Sequence, residues 1–290
     1  MSRSFAGAPA AQQGPAQARE TGAAPRRRFP LRLLGPRFRR GLAGVAFLLL
    51  IGEVIGRAGL VDRSFLPPPS AVLARVVGLL GNSAFRTDVA VTLQAWAAGL
   101  LLALVCAVPV GLLLGSLPIV SSAARALVEF LRPIPSVALI PLALLVFADQ
   151  GQMEFLLAAY GAFWPILINT MYSVGEVDPM ALEVARSFGL GRFVILTRVV
   201  LPSVAPFVAT GTRVASAIAL IIPISTEMIA GGDHGIGIFV LTASGVSGQA
   251  DVVFAAVAIA GAIGYLIDLI LRRAERRLFR WHFARLGVNP

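Results

Sequence analysis

Residues 176–206 read EVDPMALEVARSFGLGRFVILTRVVLPSVAP, and the reading of this stretch decides the fold. It is the longest polar-bearing interruption in an apolar second half. Asp178-Pro179 makes a helix start, with aspartate as N-cap and proline in the first turn, where its missing N–H is not needed. Ala181, Val184, Ala185 and Phe188 then fall on one face at helical spacing. Glu183 and Arg186 lie three apart and can pair, for about 0.2–0.5 kcal/mol. Gly189 and Gly191 stop the helix, because glycine adopts the left-handed C-cap conformation readily. A second pattern follows in Phe193, Val194, Leu196, Val199 and Val200, and Leu201-Pro202 ends it. The product is a helix–turn–helix too short to span a bilayer. Its apolar face needs a partner: the membrane surface, a helix bundle or another protein.

The rest of the chain is a membrane scaffold. Its 290 residues are 57% hydrophobic and 14% charged, and its mean hydropathy is +0.81. Soluble domains run about 45–50% apolar and about 25% charged. Six apolar runs of span length are expected near residues 41–60, 89–114, 128–147, 153–171, 204–228 and 252–271. The fold class is therefore all-α and polytopic. The net charge is +10, and all 25 basic residues are arginine. In a soluble protein that balance would suggest nucleic acid. Here it gathers at the two ends beside apolar spans, where it reads as topology signal and lipid-headgroup contact. With both termini inside, residues 1–40, 115–127, 172–203 and those after 271 hold nineteen arginines. The opposite segments hold Arg63, Arg75 and Arg86. The positive-inside rule then puts both termini and the 172–203 loop in the cytoplasm.

Residues 1–25 are expected to be disordered, and residues 26–40 form a basic patch. Phe65-Leu66-Pro67-Pro68-Pro69-Ser70 is a rigid extended piece, and Ser70 begins a helical pattern through Val72, Leu73, Val76, Val77 and Leu80 that fits a short surface helix. Gly99, Gly111 and Gly115 of the second span favour close helix approach. Leu131-Arg132-Pro133-Ile134-Pro135-Ser136 reads either as a broken helix facing protein or a cavity, or as a kinked entry to an ordinary span. The fourth span ends with Trp164-Pro165 and Asn169-Thr170. The glycine-rich turn at 231–237 lacks the lysine and strand context of a phosphate loop. Cys106 sits in an apolar run, and with His234 and His282 as the only histidines no metal pattern exists.

At the opening stretch the chain resembles the permease subunits of bacterial ABC importers, the binding-protein-dependent transport family. Their loop follows E-A-A-x3-G-x9-I-x-L-P; here it reads Glu183-Val184-Ala185, Gly189, then Val199-Val200-Leu201-Pro202, with matching spacing. Further landmarks resemble the sulfonate, taurine and nitrate-type branch: residues 66–70, Thr92-Leu93, residues 131–142, residues 165–170 and a basic stretch closing on Trp281. The resemblance covers residues 41–282, between a basic N-terminus (1–40) and a tail (283–290), with a coupling loop at about 174–203. It implies the type I importer fold and a pore made by two copies. Each copy would dock a cytoplasmic ATPase through Pro179, Leu182, Glu183, Val184, Ala185, Arg186, Phe188, Gly189, Leu201 and Pro202. A solute-binding protein would deliver a small solute such as a sulfonate, taurine or nitrate. ATP and Mg would sit in the partner; this chain would hold no cofactor and be no enzyme. The location implied is the bacterial inner membrane.

Ionisable and polar residues in spans are suspects for the translocation path. They are Thr92, Gln94, Arg132, Ser136, Asn169, Arg213, Ser216, Thr226 and Glu227. The two arginines can instead snorkel, and the polar residues can instead bond helix to helix. Glu53 and Asp268 can pair with neighbours. A secondary transporter is a rival class, but no inverted repeat or matched acidic pair is visible. A membrane enzyme lacks any metal cluster, Ser/His/Asp set or carboxylate pair.

Overall fold

The structure is a computed structural model, and it describes residues 36–59, 61–117 and 126–281. The expected disordered N-terminus, part of the 115–127 turn and the 283–290 tail lie outside the described residues. Four helices have the length and composition to cross a membrane: α3 (Ser83–Ser116), α5 (Gln150–Gly175), α7 (Arg192–Ala230) and α9 (Ala250–Leu278). They fall on the second, fourth, fifth and sixth expected spans. The first falls on α1 (Pro36–Arg57), which carries Glu53 and Arg57 and is not among the four. Up to Phe47 the chain forms one unit; the described side chains of its half of α1 are exposed. Residues from Leu48 form a second unit, which holds everything below.

The third expected span is not one helix. Residues 126–131 are helical, the chain then turns through Pro133 and Pro135, and a 3-10 turn (Ser136–Leu139) leads into the short α4 (Ile140–Val146). Each proline lacks an N–H and pushes the residue before it out of helical geometry, so two in three positions stop the helix. The broken alternative is the one realised.

Helix α5 packs against both α3 and α7. Small residues make this possible. On α3, Gly99, Ala103, Ala107 and Gly111 recur every fourth position and are buried. A methyl group on Gly111 would lie 2.7 Å from Thr170 Cβ, and one on Gly99 would lie 2.8 Å from the Phe155 carbonyl. On α7, Gly211 fits against Asn169 and the Pro165 carbonyl of α5. Bilayer helices use such residues because close backbone approach gains dispersion contact that lipid does not offer.

Helix α2 (Pro69–Gly81) is the surface helix expected from residue 70 onward. Its N-terminus is capped by Glu53, whose carboxylate accepts from Ser70 N (2.9 Å) and Ser70 Oγ (2.7 Å) and pairs with Arg57 Nε (2.6 Å). Arg75 pairs with Asp251 of α9 at 2.6 Å. Before α2, the Ser64 N–H bonds Asp62 Oδ1 at 2.8 Å and holds that carboxyl below its usual range.

The expected 229–251 loop holds more than a glycine-rich turn. It carries α8 (Ile236–Ser244), an apolar helix that buries Ile236, Gly237, Val240 and Ala243. Helix α7 separates two ends of the bundle. The loop end holds α6 (Pro179–Ser187) and the arginine-rich end of α9; the glycine end holds residues 231–237.

Candidate functional site

At the loop end, Asp178 Oδ1 accepts the Met180 N–H at 2.9 Å and starts α6. The helix closes on two bonds, Gly189 N to Arg186 O (2.9 Å) and Leu190 N to Ala185 O (3.2 Å). That pair is a Schellman motif, and it requires the φ of +70° found at Gly189. Helix α7 begins at Arg192 and carries a π turn at Leu196–Val200, where Leu201 N bonds Leu196 O. The helix continues through Leu201-Pro202, which therefore do not end the second pattern as expected.

The apolar face expected on α6 splits in two. Val177 and Ala185 are buried, with Ala181 and Leu182 half-buried beside them. Met180, Val184 and Phe188, four apart, point away from the bundle; Phe188 is 80% exposed and Met180 67%. Phe193 adds a further exposed ring beyond the turn. The expected Glu183–Arg186 ion pair does not form. Both side chains are exposed, and a pair worth a few tenths of a kcal/mol does not hold two solvated charges together.

The broken segment builds the second feature. A cavity of about 400 Å³ lies among Arg132, Ser136, Tyr160, Trp164, Asn169 and Ile218. Three of the nine path candidates, Arg132, Ser136 and Asn169, thus come together. No acidic side chain lines the cavity, and no ion-pair partner of Arg132 occurs among the described residues. Asn169 Nδ2 donates to the Pro165 carbonyl at 2.8 Å. Gly161 keeps the wall thin: an added methyl group would meet Ile222, and would lie 3.3 Å from Ser136 Oγ. An exposed guanidinium without an ion-pair partner among the described residues, beside neutral polar groups, is open to an anion.

The other candidates lie elsewhere. Thr92 and Glu227 are fully buried and bonded to each other at 2.7 Å. Glu227 also accepts Gly237 N (2.6 Å), and Thr92 Oγ1 accepts Ile236 N (3.0 Å). Two carboxylates that the sequence reading passed over join them: Asp88 accepts Gly235 N and faces His234 Nδ1, both at 3.2 Å, and Glu154 accepts from Gln150 at 2.8 Å. Gln150 also bonds the Gly231 carbonyl. The cluster fixes the glycine turn to α3, α5 and α7. Thr226 bonds its own helix at Ile222 O. Arg213 pairs with Glu275 (3.1 Å) and lies 3.8 Å from Asp268; with Ser216 it lines an apolar cavity of about 410 Å³ between α7 and α9. Gln94 is exposed on α3.

A family model described as binding-protein-dependent transport system inner membrane component matches residues 99–280. The chain belongs to this family. It is a permease subunit of an ABC importer, a transport subunit whose ATP hydrolysis lies in a separate subunit. A chain of Methanocaldococcus jannaschii, named provisionally as an ABC transporter permease protein, is 35% identical over 221 residues, or 74% of this chain and 82% of that one. The taurine transport system permease protein of Escherichia coli K12 is 29% identical over 243 residues, 82% of this chain and 88% of that one. The bicarbonate transport system permease protein of Synechococcus elongatus is 28% identical over 251 residues, 82% and 88%. A chain of the inward-facing MetNI methionine ABC transporter shares the fold at a TM-score of 0.57 and 20% identity, covering 66% of this chain and 94% of that one.

In this permease the sequence reading missed Tyr160, Gly161 and Trp164 of the cavity wall. A signal was present: Tyr160 and Trp164 are four apart on the helix that carries Asn169. Asp88 was similarly visible four residues before Thr92.

Proposed function

We propose that this permease carries a small oxyanion of the sulfonate or bicarbonate type across the inner membrane, and that the Arg132 cavity is part of its path. The observation that carries the reading is the Arg132 guanidinium, without an ion-pair partner among the described residues, on a cavity that no described acid lines. The names of the taurine and bicarbonate permeases, similar over 82% of this chain, support the same class. Two copies form the pore, and a binding protein supplies the cargo at the glycine end. The stretch from Glu183 to Pro202 docks a separate ATPase, which holds the ATP and Mg. The outward stripe of Met180, Val184 and Phe188 is the contact. Both termini and the docking loop face the cytoplasm, in line with the arginine balance.

The test is uptake into vesicles holding the permease and its ATPase, with the binding protein outside and ATP inside. Labelled taurine, ethanesulfonate and bicarbonate are the probes. At least one is imported, and Arg132→Gln lowers that uptake about tenfold or more, as loss of a charge-assisted bond should. Full uptake by Arg132→Gln, or uptake by the lone chain without ATP, overturns the reading.

A further inference from the structure

The Arg132 cavity has two unlike sides. One is polar: the guanidinium, the Ser136 hydroxyl and Asn169, whose amide donor is taken by the Pro165 carbonyl at 2.8 Å. The other is apolar. Ile168 of α5 and Val214 and Ile218 of α7 line it, and the rings of Tyr160 and Trp164 extend it. Those two rings meet edge-on, with centroids 5.8 Å apart and planes at 85°, a favourable aromatic arrangement that holds the wall in shape. The volume, about 400 Å³, falls in the range of pockets that take small organic molecules.

Each kind of oxyanion meets this lining differently. Bicarbonate and nitrate have no apolar part, so the isoleucine side gains nothing from them. Taurine carries an ammonium group close to its sulfonate. With the sulfonate on Arg132, that ammonium shares the cavity with a like charge. No described acid lines the cavity to receive it, and an unpaired ammonium is costly to take out of water. An alkyl tail instead exchanges water for Ile168, Val214 and Ile218. It gains about fourfold in affinity for each methylene buried.

We infer that this cavity takes an oxyanion on an apolar tail without an amino group, such as an alkanesulfonate, and that Ile168 and Ile218 set the preference for the tail. The inference rests on the reading of this cavity as the path. The division of labour is physical. The guanidinium binds the head through charge-assisted hydrogen bonds and accepts any small oxyanion. The apolar side distinguishes among those heads by what is attached to them.

The experiment measures binding to the permease with its ATPase in lipid nanodiscs, without the binding protein, so that only the permease selects. Labelled ethanesulfonate is the probe, and unlabelled anions displace it. Butanesulfonate displaces it at about tenfold lower concentration than ethanesulfonate, the gain from two further methylenes. Taurine and bicarbonate need at least about tenfold more than ethanesulfonate. Ile168→Asn and Ile218→Asn each bring the advantage of butanesulfonate down to about twofold or less, and Arg132→Gln abolishes probe binding. Taurine or bicarbonate displacing the probe as well as ethanesulfonate does, with Arg132→Gln still inactive, overturns the inference and leaves the cavity reading standing. So does a wild-type complex that binds butanesulfonate no better than ethanesulfonate, or an unchanged advantage in both isoleucine variants. Where an isoleucine variant does not assemble, the wild-type series decides. Probe binding that survives in Arg132→Gln, or no displaceable binding to the wild type, overturns both.

Discussion

The Thr92 hydroxyl donates to Glu227 across 2.7 Å and joins α3 to α7 at the glycine end. The same oxygen accepts the Ile236 N–H, while Glu227 accepts that of Gly237. The first two amides of α8 therefore end on side chains of two other helices. A carboxylate at a helix N-terminus is favourable electrostatically. Thr92→Val keeps the shape and removes the hydroxyl, leaving Ile236 N–H unpaired and Glu227 short of a donor. It should destabilise the purified complex by about 1–3 kcal/mol, and Glu227→Ala by more. Thermal unfolding of the complex in detergent checks this. An unchanged midpoint for both variants would show that the cluster holds nothing together.

Gly189 is free of neighbours, so only its backbone constrains it. A methyl group built there meets no atom within 4 Å, yet φ is +70°. A β-branched side chain at that φ costs about 1–2 kcal/mol, and the Schellman bonds to Arg186 and Ala185 are what the strain opposes. Gly189→Val should leave membrane insertion intact while weakening ATPase binding and transport. Gly189→Asn should retain most of both, since asparagine tolerates the left-handed region. Equal ATPase capture by all three chains contradicts the docking role of the turn.

Phe188 separates docking from folding. It is 80% exposed, so its removal should change stability by no more than about 0.5 kcal/mol. Large exposed apolar groups in a row mark a contact surface. Phe188→Asp should insert and fold normally but lose most ATPase capture, and Met180→Asp should do likewise. Glu183→Gln should have a smaller effect, because it keeps the size of the side chain and breaks no bond among the described residues. Normal capture by both aspartate variants would place the contact elsewhere.

How much of this was legible follows from which forces are local. The start and stop of α6 were readable because an N-cap aspartate and a C′ glycine act on atoms within a few residues. The outward stripe was not. Periodicity shows that α6 has apolar positions, but Val177, Ala181 and Ala185 compete with Met180, Val184 and Phe188 for the bundle, and packing decides. Helix α8 was hidden because nine residues are too few for a span and its N-terminal partners, Thr92 and Glu227, are 144 and 10 residues away from the amides they hold. Arg132, Ser136 and Asn169 could be suspected singly as ionisable or polar groups in spans. Their meeting depended on the break at Pro133 and Pro135, where the sequence left two alternatives open. Trp164 was legible only as part of the end of the fourth span, since its place on the cavity wall shows only once its surroundings are known.

Close packing of α3 on α5 gives the last prediction. Gly111 faces Thr170, which is fully buried and bonds the Ile166 carbonyl at 2.7 Å. A valine at 111 would press on the Thr170 side chain and the Leu167 carbonyl, and a backbone carbonyl cannot step aside. Overpacking of this kind destabilises by about 1–3 kcal/mol. Gly78 on α2 is the control, because a methyl group there meets nothing within 4 Å. Gly111→Val should lower the thermal midpoint of the complex clearly, and Gly78→Ala should leave it level or raise it slightly through helix propensity. The opposite order would mean that α3 and α5 do not approach closely at this level, and the central packing of the bundle would have to be redrawn.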